Sequence, residues 1–202
     1  MFLHDQGCLL RKEATGERHL LLVFFLKGNG LQIVLTRKPS KQGPGSGLPD
    51  LFDSGEVIIE KKGDKPAFLK EFIAGKSRSG LARSYKALQA AARLALFMEK
   101  NLLHMEHFEA SWDLLHNALD SLGNRQQSST VLLKAFYIMA RTEGYPVRES
   151  WIGKLPAGDR REILQLIQQP VDSIEIDESR IRHWVSVLEK FLQDETDLLI
   201  PG

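Results

Sequence analysis

Two adjoining segments rich in large apolar residues, Arg18–Leu26 and Leu31–Arg37, constrain the fold most strongly. Between them lies Lys27–Gly30 (KGNG), and Asn-Gly between two such segments is the strongest short-range signal of a β-hairpin with a type I′ turn. The first segment is apolar on both faces, so other parts of the chain must cover both faces of that strand. A small barrel backed by a further layer meets this requirement.

Shorter β-prone segments lie on both sides of the hairpin. We predict a first strand at Gly7–Lys12, a fourth at Val57–Glu60 that follows Leu48–Phe52, and a fifth at Pro66–Ile73. Glycine-rich or charged turns separate these strands. Five short strands with such turns in about 75 residues are typical of a small Greek-key barrel such as an OB-fold.

The second half of the chain has a helical pattern. Beyond Ala74–Ser84 the apolar residues recur with the period of an α-helix, and the link Val147–Gly158 is predicted to be irregular. Five helices are predicted, at Gly80–Asn101, His107–Leu122, Gln127–Thr142, Asp159–Gln168 and Glu178–Asp194. We therefore predict an α+β chain with an N-terminal five-stranded OB-fold barrel at residues 1–78 and an all-α helical domain at 79–202.

The net charge of +1 hides an asymmetry between the two halves. Residues 1–86 carry 15 Lys and Arg against 9 Asp and Glu, whereas residues 87–202 carry 12 against 17. A basic half suggests an anionic partner, and an uneven spread of solubilising surface charge is the alternative explanation.

The basic residues of the first half fall into three groups that a barrel could gather on one side. Closely spaced cations bind phosphates, which favours nucleic-acid binding. Residues 1–84 contain no Trp or Tyr, so we expect backbone contacts rather than base stacking to dominate. The predicted contacts are Arg37, Lys38 and Lys41, then Lys61, Lys62 and Lys65, then Lys76, Arg78 and Arg83.

Other classes of function lack a signature. Cys8 is the single cysteine, which excludes an internal disulfide and a multi-cysteine zinc site and fits a reducing compartment. The six histidines are scattered, and no nucleophile elbow or His-Glu-x-x-His pair occurs, so we expect no metal, no cofactor and no enzymatic activity. The longest apolar segment, Leu20–Leu26, is too short to span a bilayer, and we predict a cytoplasmic soluble protein without membrane partners.

The order of these features resembles the bacterial recombination mediator RecO family. The resemblance lies in the opening strand Gly7–Arg11, in residues 16–41 (GERHLLLVFFLKGNGLQIVLTRKPSK) and in residues 132–147 (LLKAFYIMARTEGYPV). The last segment is similar to the family's Leu-x-x-Phe…Leu…Gly-Tyr-x-Pro pattern. Many members carry a four-cysteine zinc module next, whereas residues 148–158 (RESWIGKLPAG) contain no cysteine, which would make this chain a shortened or divergent member.

The resemblance implies a non-enzymatic role in DNA repair and recombination after DNA damage. Members bind single- and double-stranded DNA, anneal strands and help load recombinase onto DNA that is coated by single-stranded-DNA-binding protein. RecR and that coating protein would be the partners. The alternative is a protein–protein adaptor that keeps the fold without DNA binding. Convergence of the three basic groups on one face would favour the DNA-binding role over the adaptor. The sequence leaves the oligomeric state and the strand preference open.

Overall fold

The structure is a computed structural model that describes residues 1–38, 47–63, 65–105, 108–124, 127–173 and 176–201. Within these residues five strands are followed by six α-helices, which confirms the predicted α+β arrangement. The strands are β1 (Phe2–Thr15), β2 (His19–Leu26), β3 (Gly30–Arg37), β4 (Ser54–Glu60) and β5 (Phe68–Lys76). The helices are α1 (Tyr85–Asn101), α2 (Glu109–Asn124), α3 (Ser128–Thr142), α4 (Val147–Ser150), α5 (Ala157–Gln168) and α6 (Glu178–Glu195).

The chain divides into two compact units. The first, here called the strand unit, comprises Met1–Gly80 and Leu102–Trp112. The second, the helical unit, comprises Leu81–Asn101 and Asp113–Gly202. The sequence-based division runs between residues 78 and 79 and assigns residues 102–112 to the helices, whereas the structure groups these residues with the strands.

The five strands form a closed ring of mixed sheet in the order β1-β2-β3-β5-β4, with β4 paired again to β1. The β3–β5 pair is parallel, and the other pairs are antiparallel. Strand β1 is longer than the predicted Gly7–Lys12 because it serves two neighbours: Phe2–Cys8 pairs with β4, and Gly7–Thr15 pairs with β2. One long strand therefore joins β4 to β2 within the ring.

Strand β2 is covered on both of its faces, as its sequence requires. Its inward side chains join the core of the ring, whereas Phe25 points outward and is nevertheless fully buried. The rings of Phe108 and Trp112 cover Phe25, at centroid distances of 6.4 and 5.5 Å. The covering layer thus comes from residues 102–112 of the same unit. The core of the ring consists of Leu9, Leu22, Phe24, Leu26, Val34, Val57 and Ile59.

The turn between β2 and β3 differs from the predicted type I′ turn. Leu26 pairs with Gly30, so three residues form the loop, and Gly30 has a φ of +63° whereas Asn29 is not among the residues with positive φ. A three-residue loop that is followed by a left-handed glycine also matches the twist of the strands. The carboxylate of Asp5 accepts hydrogen bonds from Gly28 N–H (3.0 Å) and from the Asn29 side chain (2.7 Å), which holds this loop against β1.

The helical unit follows the predicted pattern with shifted ends. Helix α1 begins at Tyr85 rather than Gly80, because Ser79–Arg83 forms a 3₁₀ turn, and the predicted start of the second helix, His107, lies outside the described residues. The link predicted to be irregular contains the short α4. Helices α1 and α3 pack through the rings of Phe97 and Phe136, whose centroids are 4.6 Å apart.

Among the described residues, none of the helices combines the length and the apolar content that crossing a membrane requires. The predicted cytoplasmic location stays a prediction.

Gly55 tests how tightly the ring closes, because a Cβ atom at this position would lie 2.2 Å from the carbonyl oxygen of Ile73. Since that neighbour is backbone, strand β5 must shift, and we expect Gly55→Ala to lower the free energy of unfolding by about 3 kcal/mol. Gly158→Ala is the matched control: no atom lies within 4 Å of its added Cβ, and alanine favours a helix by about 0.5–1 kcal/mol. Urea denaturation followed by circular dichroism measures the free energy of unfolding of both variants. Equal stabilities of Gly55→Ala and the wild type would contradict the described packing.

Candidate nucleic-acid interface

The end of β3 is attached to the turn between β1 and β2. Arg37 pairs with His19 across the two strands. The Lys38 N–H donates to the carbonyl oxygen of Arg18 at 2.9 Å, and the Lys38 ammonium donates to that of Gly16 at 3.0 Å. Arg18, whose side chain is exposed, is therefore a neighbour of Lys38 along the backbone, although it is not among the predicted contacts.

The loop between β4 and β5, residues 61–67, runs along β3. At its start the Lys61 ammonium donates to the side-chain oxygen of Gln32 at 2.8 Å. At its end the carbonyl oxygen of Ala67 accepts from Leu35 N–H at 2.8 Å. The loop is thus held beside β3 at Gln32 and Leu35, and Arg37 and Lys38 follow along the chain, two and three residues beyond Leu35. We call the resulting set the basic strip: Arg18, Arg37, Lys38, Lys61, Lys62 and Lys65.

Glu60 offsets part of this positive charge. Its carboxylate lies 3.0 Å from the ammonium of Lys62 and 3.2 Å from that of Lys70. The hydrogen bond from Lys62 lowers the pKa of Glu60, and the hydrogen bond from Lys70 adds to the effect. Glu60 therefore stays ionised at neutral pH and fixes the position of Lys62 at the strip.

Lys76 and Arg78 of the third predicted group do not join the strip. Lys76 pairs with Ser54 at the far end of β5, eight residues beyond Phe68, or about 26 Å at ~3.3 Å per residue. Arg83 belongs to the helical unit. Lys41 falls outside the described residues.

Arg78 is a buried structural residue rather than a surface cation. Its side chain is 6% exposed. The guanidinium donates to the carbonyl oxygen of Phe52 (2.8 Å) and to the hydroxyl of Ser54 (2.6 Å). The backbone N–H of Arg78 donates to the carboxylate of Asp53 (2.9 Å). Phe52 has a φ of +71°, so Arg78 helps to hold a backbone conformation that a bulky residue rarely adopts. We therefore leave Arg78 out of the candidate interface.

A half-buried aromatic pair lies beside the strip, where the sequence analysis expects none. The rings of His19 and Phe68 meet edge to face, with centroids 6.1 Å apart and an angle of 76°. Leu35, which pairs with Phe68 across β3 and β5, is also half-buried, and Ile33 is 58% exposed. No local sequence signal marks this pair, because its members come from the start of β2 and the start of β5.

The helical unit contains a separate cleft of about 830 Å³ between α1, α3 and α6. Leu96, Leu132 and Val185 contribute apolar walls. Glu189 lies 2.5 Å from Arg93, and burial raises the pKa of Glu189 while Arg93 opposes that rise. The cleft thus combines apolar surface with an ion pair whose carboxylate is largely buried.

Across the part of the chain that the structure describes, no three His, Cys, Asp or Glu side chains come close enough together to hold a metal ion. Cys8 is buried, and its thiol donates to the carbonyl oxygen of Phe52 at 3.6 Å. The expected absence of a metal stays a prediction.

No protein-family model matches the chain, and no curated protein matches it either. The resemblance to the RecO family stays a prediction.

Removing the ammonium of Lys62 tests the charge arrangement at Glu60. Because the Lys62 hydrogen bond is the main cause of the lowered pKa of Glu60, we expect Lys62→Ala to raise that pKa toward its ordinary value. In the wild type, the stabilisation from the ionised Glu60 carboxylate is present at neutral pH and is lost as the pH falls through the lowered pKa. Because the pKa of Glu60 is higher in the variant, the variant loses this stabilisation at a higher pH. An NMR titration of the Glu60 carboxyl measures the shift. Lys65→Ala is the control and should leave the titration unchanged; equal titration curves for both variants would contradict the assignment.

Proposed function

We propose that the strand unit binds nucleic acid through its phosphates along the basic strip. The observation that carries the proposal is the attachment of the β4–β5 loop to β3 by the bonds Lys61–Gln32 and Leu35–Ala67. It holds the lysines of the loop against β3, the strand that ends in Arg37 and leads to Lys38. Closely spaced cations release condensed counterions when they bind phosphates, which supplies most of the affinity.

We further propose that the ring of strands is an OB-fold. The support is the strand order β1-β2-β3-β5-β4 with its parallel β3–β5 pair. OB-folds bind oligonucleotides on the β2–β3 face and on the loops that follow β1 and β4. In this chain those two loops carry Arg18, Lys61, Lys62 and Lys65.

The role that best fits this interface is that of a non-enzymatic, cytoplasmic recombination mediator similar to RecO. Such a protein acts in DNA repair by binding single- and double-stranded DNA, promoting strand annealing and helping recombinase to load. Its partners would be RecR-like and single-stranded-DNA-binding proteins. What supports this role is the resemblance of the sequence segments together with the basic strip on the strand unit.

A protein–protein adaptor without DNA binding is the second candidate, and the cleft of the helical unit favours it. Helical proteins bind partner peptides in grooves that have apolar walls. The cleft between α1, α3 and α6 has such walls, and its volume of about 830 Å³ is in the range of binding sites.

Charge reversal along the strip separates the two candidates. If the strip neutralises about four phosphates, log affinity for a single strand falls with log salt with a slope near −3. We expect Arg37→Glu, Lys62→Glu and Lys65→Glu together to weaken binding at least about tenfold and to flatten this slope, because the strip then repels phosphates. Fluorescence anisotropy with a labelled oligonucleotide over a range of salt concentrations measures both quantities.

The matched control reverses three exposed cations that are not members of the strip, Lys76, Arg83 and Lys190, and changes the net charge by the same amount. This control should bind nearly as the wild type does. Equal weakening by both triple variants would show attraction to net charge alone. Absence of binding by the wild type at low salt would favour the adaptor.

A further inference from the structure

The His19–Phe68 pair lies between the two parts of the basic strip. His19 is the partner of Arg37 across β2 and β3, so one end of the aromatic pair adjoins the end of β3. Phe68 directly follows the β4–β5 loop, so the other end adjoins its lysines. A nucleic-acid backbone that follows the strip would therefore pass these rings.

Phe68 faces away from the interior of the ring of strands. Its neighbour Leu69 packs against the core, and side chains alternate along a strand, so Phe68 points outward. Leu20 likewise packs against the core, which places His19 on the outer face. Both rings are half-buried, so each keeps part of its surface open. The pair is thus a surface feature beside cations.

The outer face of β2 and β3 is covered at the opposite end, where Phe25 lies. Phe108 and Trp112 cover Phe25, and the turn Leu102–His104 contacts β3. At the end with His19 and Phe68, Leu35 is half-buried and Ile33 is 58% exposed.

We propose that the His19–Phe68 pair is a base-stacking platform that makes the interface prefer single-stranded nucleic acid over duplex. The proposal rests on the proposed phosphate binding along the strip, which delivers the backbone to the rings. An unpaired base exposes its π-face and stacks on aromatic side chains, whereas a base in a duplex is already stacked on its neighbours. Aromatic stacking of this kind tolerates any base, so strand state rather than sequence is selected.

Phe68→Leu tests the platform because it keeps an apolar side chain on β5 and removes the ring. Stacking predicts that this variant binds a labelled oligothymidylate of about 20 nucleotides roughly five- to fiftyfold more weakly than the wild type. Binding of a duplex of the same length should change by less than about twofold, since the phosphate contacts remain. His19→Gln should act in the same direction. Phe68→Trp, which restores an aromatic ring, should bind the single strand at least as tightly as the wild type.

A 2-aminopurine base in the oligonucleotide gives an independent readout, because stacking quenches its fluorescence. The wild type and Phe68→Trp should change this signal in a way that Phe68→Leu does not. Tyr85→Leu, which removes an exposed ring from the helical unit, is the control and should leave both readouts unchanged.

Two outcomes overturn the proposal in distinguishable ways. If Phe68→Leu binds single strands as the wild type does while charge reversal of the strip weakens binding, the platform is wrong and phosphate binding stands. If the wild type binds neither single strand nor duplex at low salt, both are wrong.

Discussion

The hydrogen bond from Leu35 N–H to the carbonyl oxygen of Ala67, with the adjoining Leu35–Phe68 pair, is the point where the ring of strands closes between β3 and β5. The β3–β5 pairing is short, and it joins the hairpin to the strands that follow it. Because of it, the β4–β5 loop lies along β3 instead of extending into solvent. The basic strip and the aromatic pair both depend on this closure, since each combines residues of the hairpin with residues of that loop.

Covering the hairpin is the second constraint on the strand unit. After His19, strand β2 is apolar on both faces, and both faces must be covered. The chain covers the outer face at Phe25 with residues 102–112, which lie beyond α1 in the sequence. These residues protect Phe25 and leave the other end of the outer face open. One structural requirement therefore decides both where the unit is closed and where a ligand can approach.

Local patterns in the sequence were sufficient for the strands and helices but not for the site. The hairpin and the helical half follow from apolar periodicity, whereas the length of β1 does not, because a strand that serves two neighbours has no single alternation. The prediction of a type I′ turn was wrong because Gly30 alone of the Asn-Gly pair has a positive φ, and the Asn29 side chain donates to Asp5. Charge alone also cannot distinguish Arg78, which holds the buried Phe52 carbonyl, from Lys62, which lies in the strip. The proximity of His19 and Phe68 depends on ring closure, which no local pattern encodes.

Chemical-shift mapping tests most directly the claim that nucleic acid binds along β3 and the β4–β5 loop. A short oligothymidylate is titrated into the isotope-labelled chain, and backbone amide shifts are followed by NMR. The account predicts that the largest shifts lie in residues 16–19, 33–38 and 61–68 and that they weaken as salt is added. Shifts confined to the cleft residues of α1, α3 and α6, or no shifts at low salt, would contradict it.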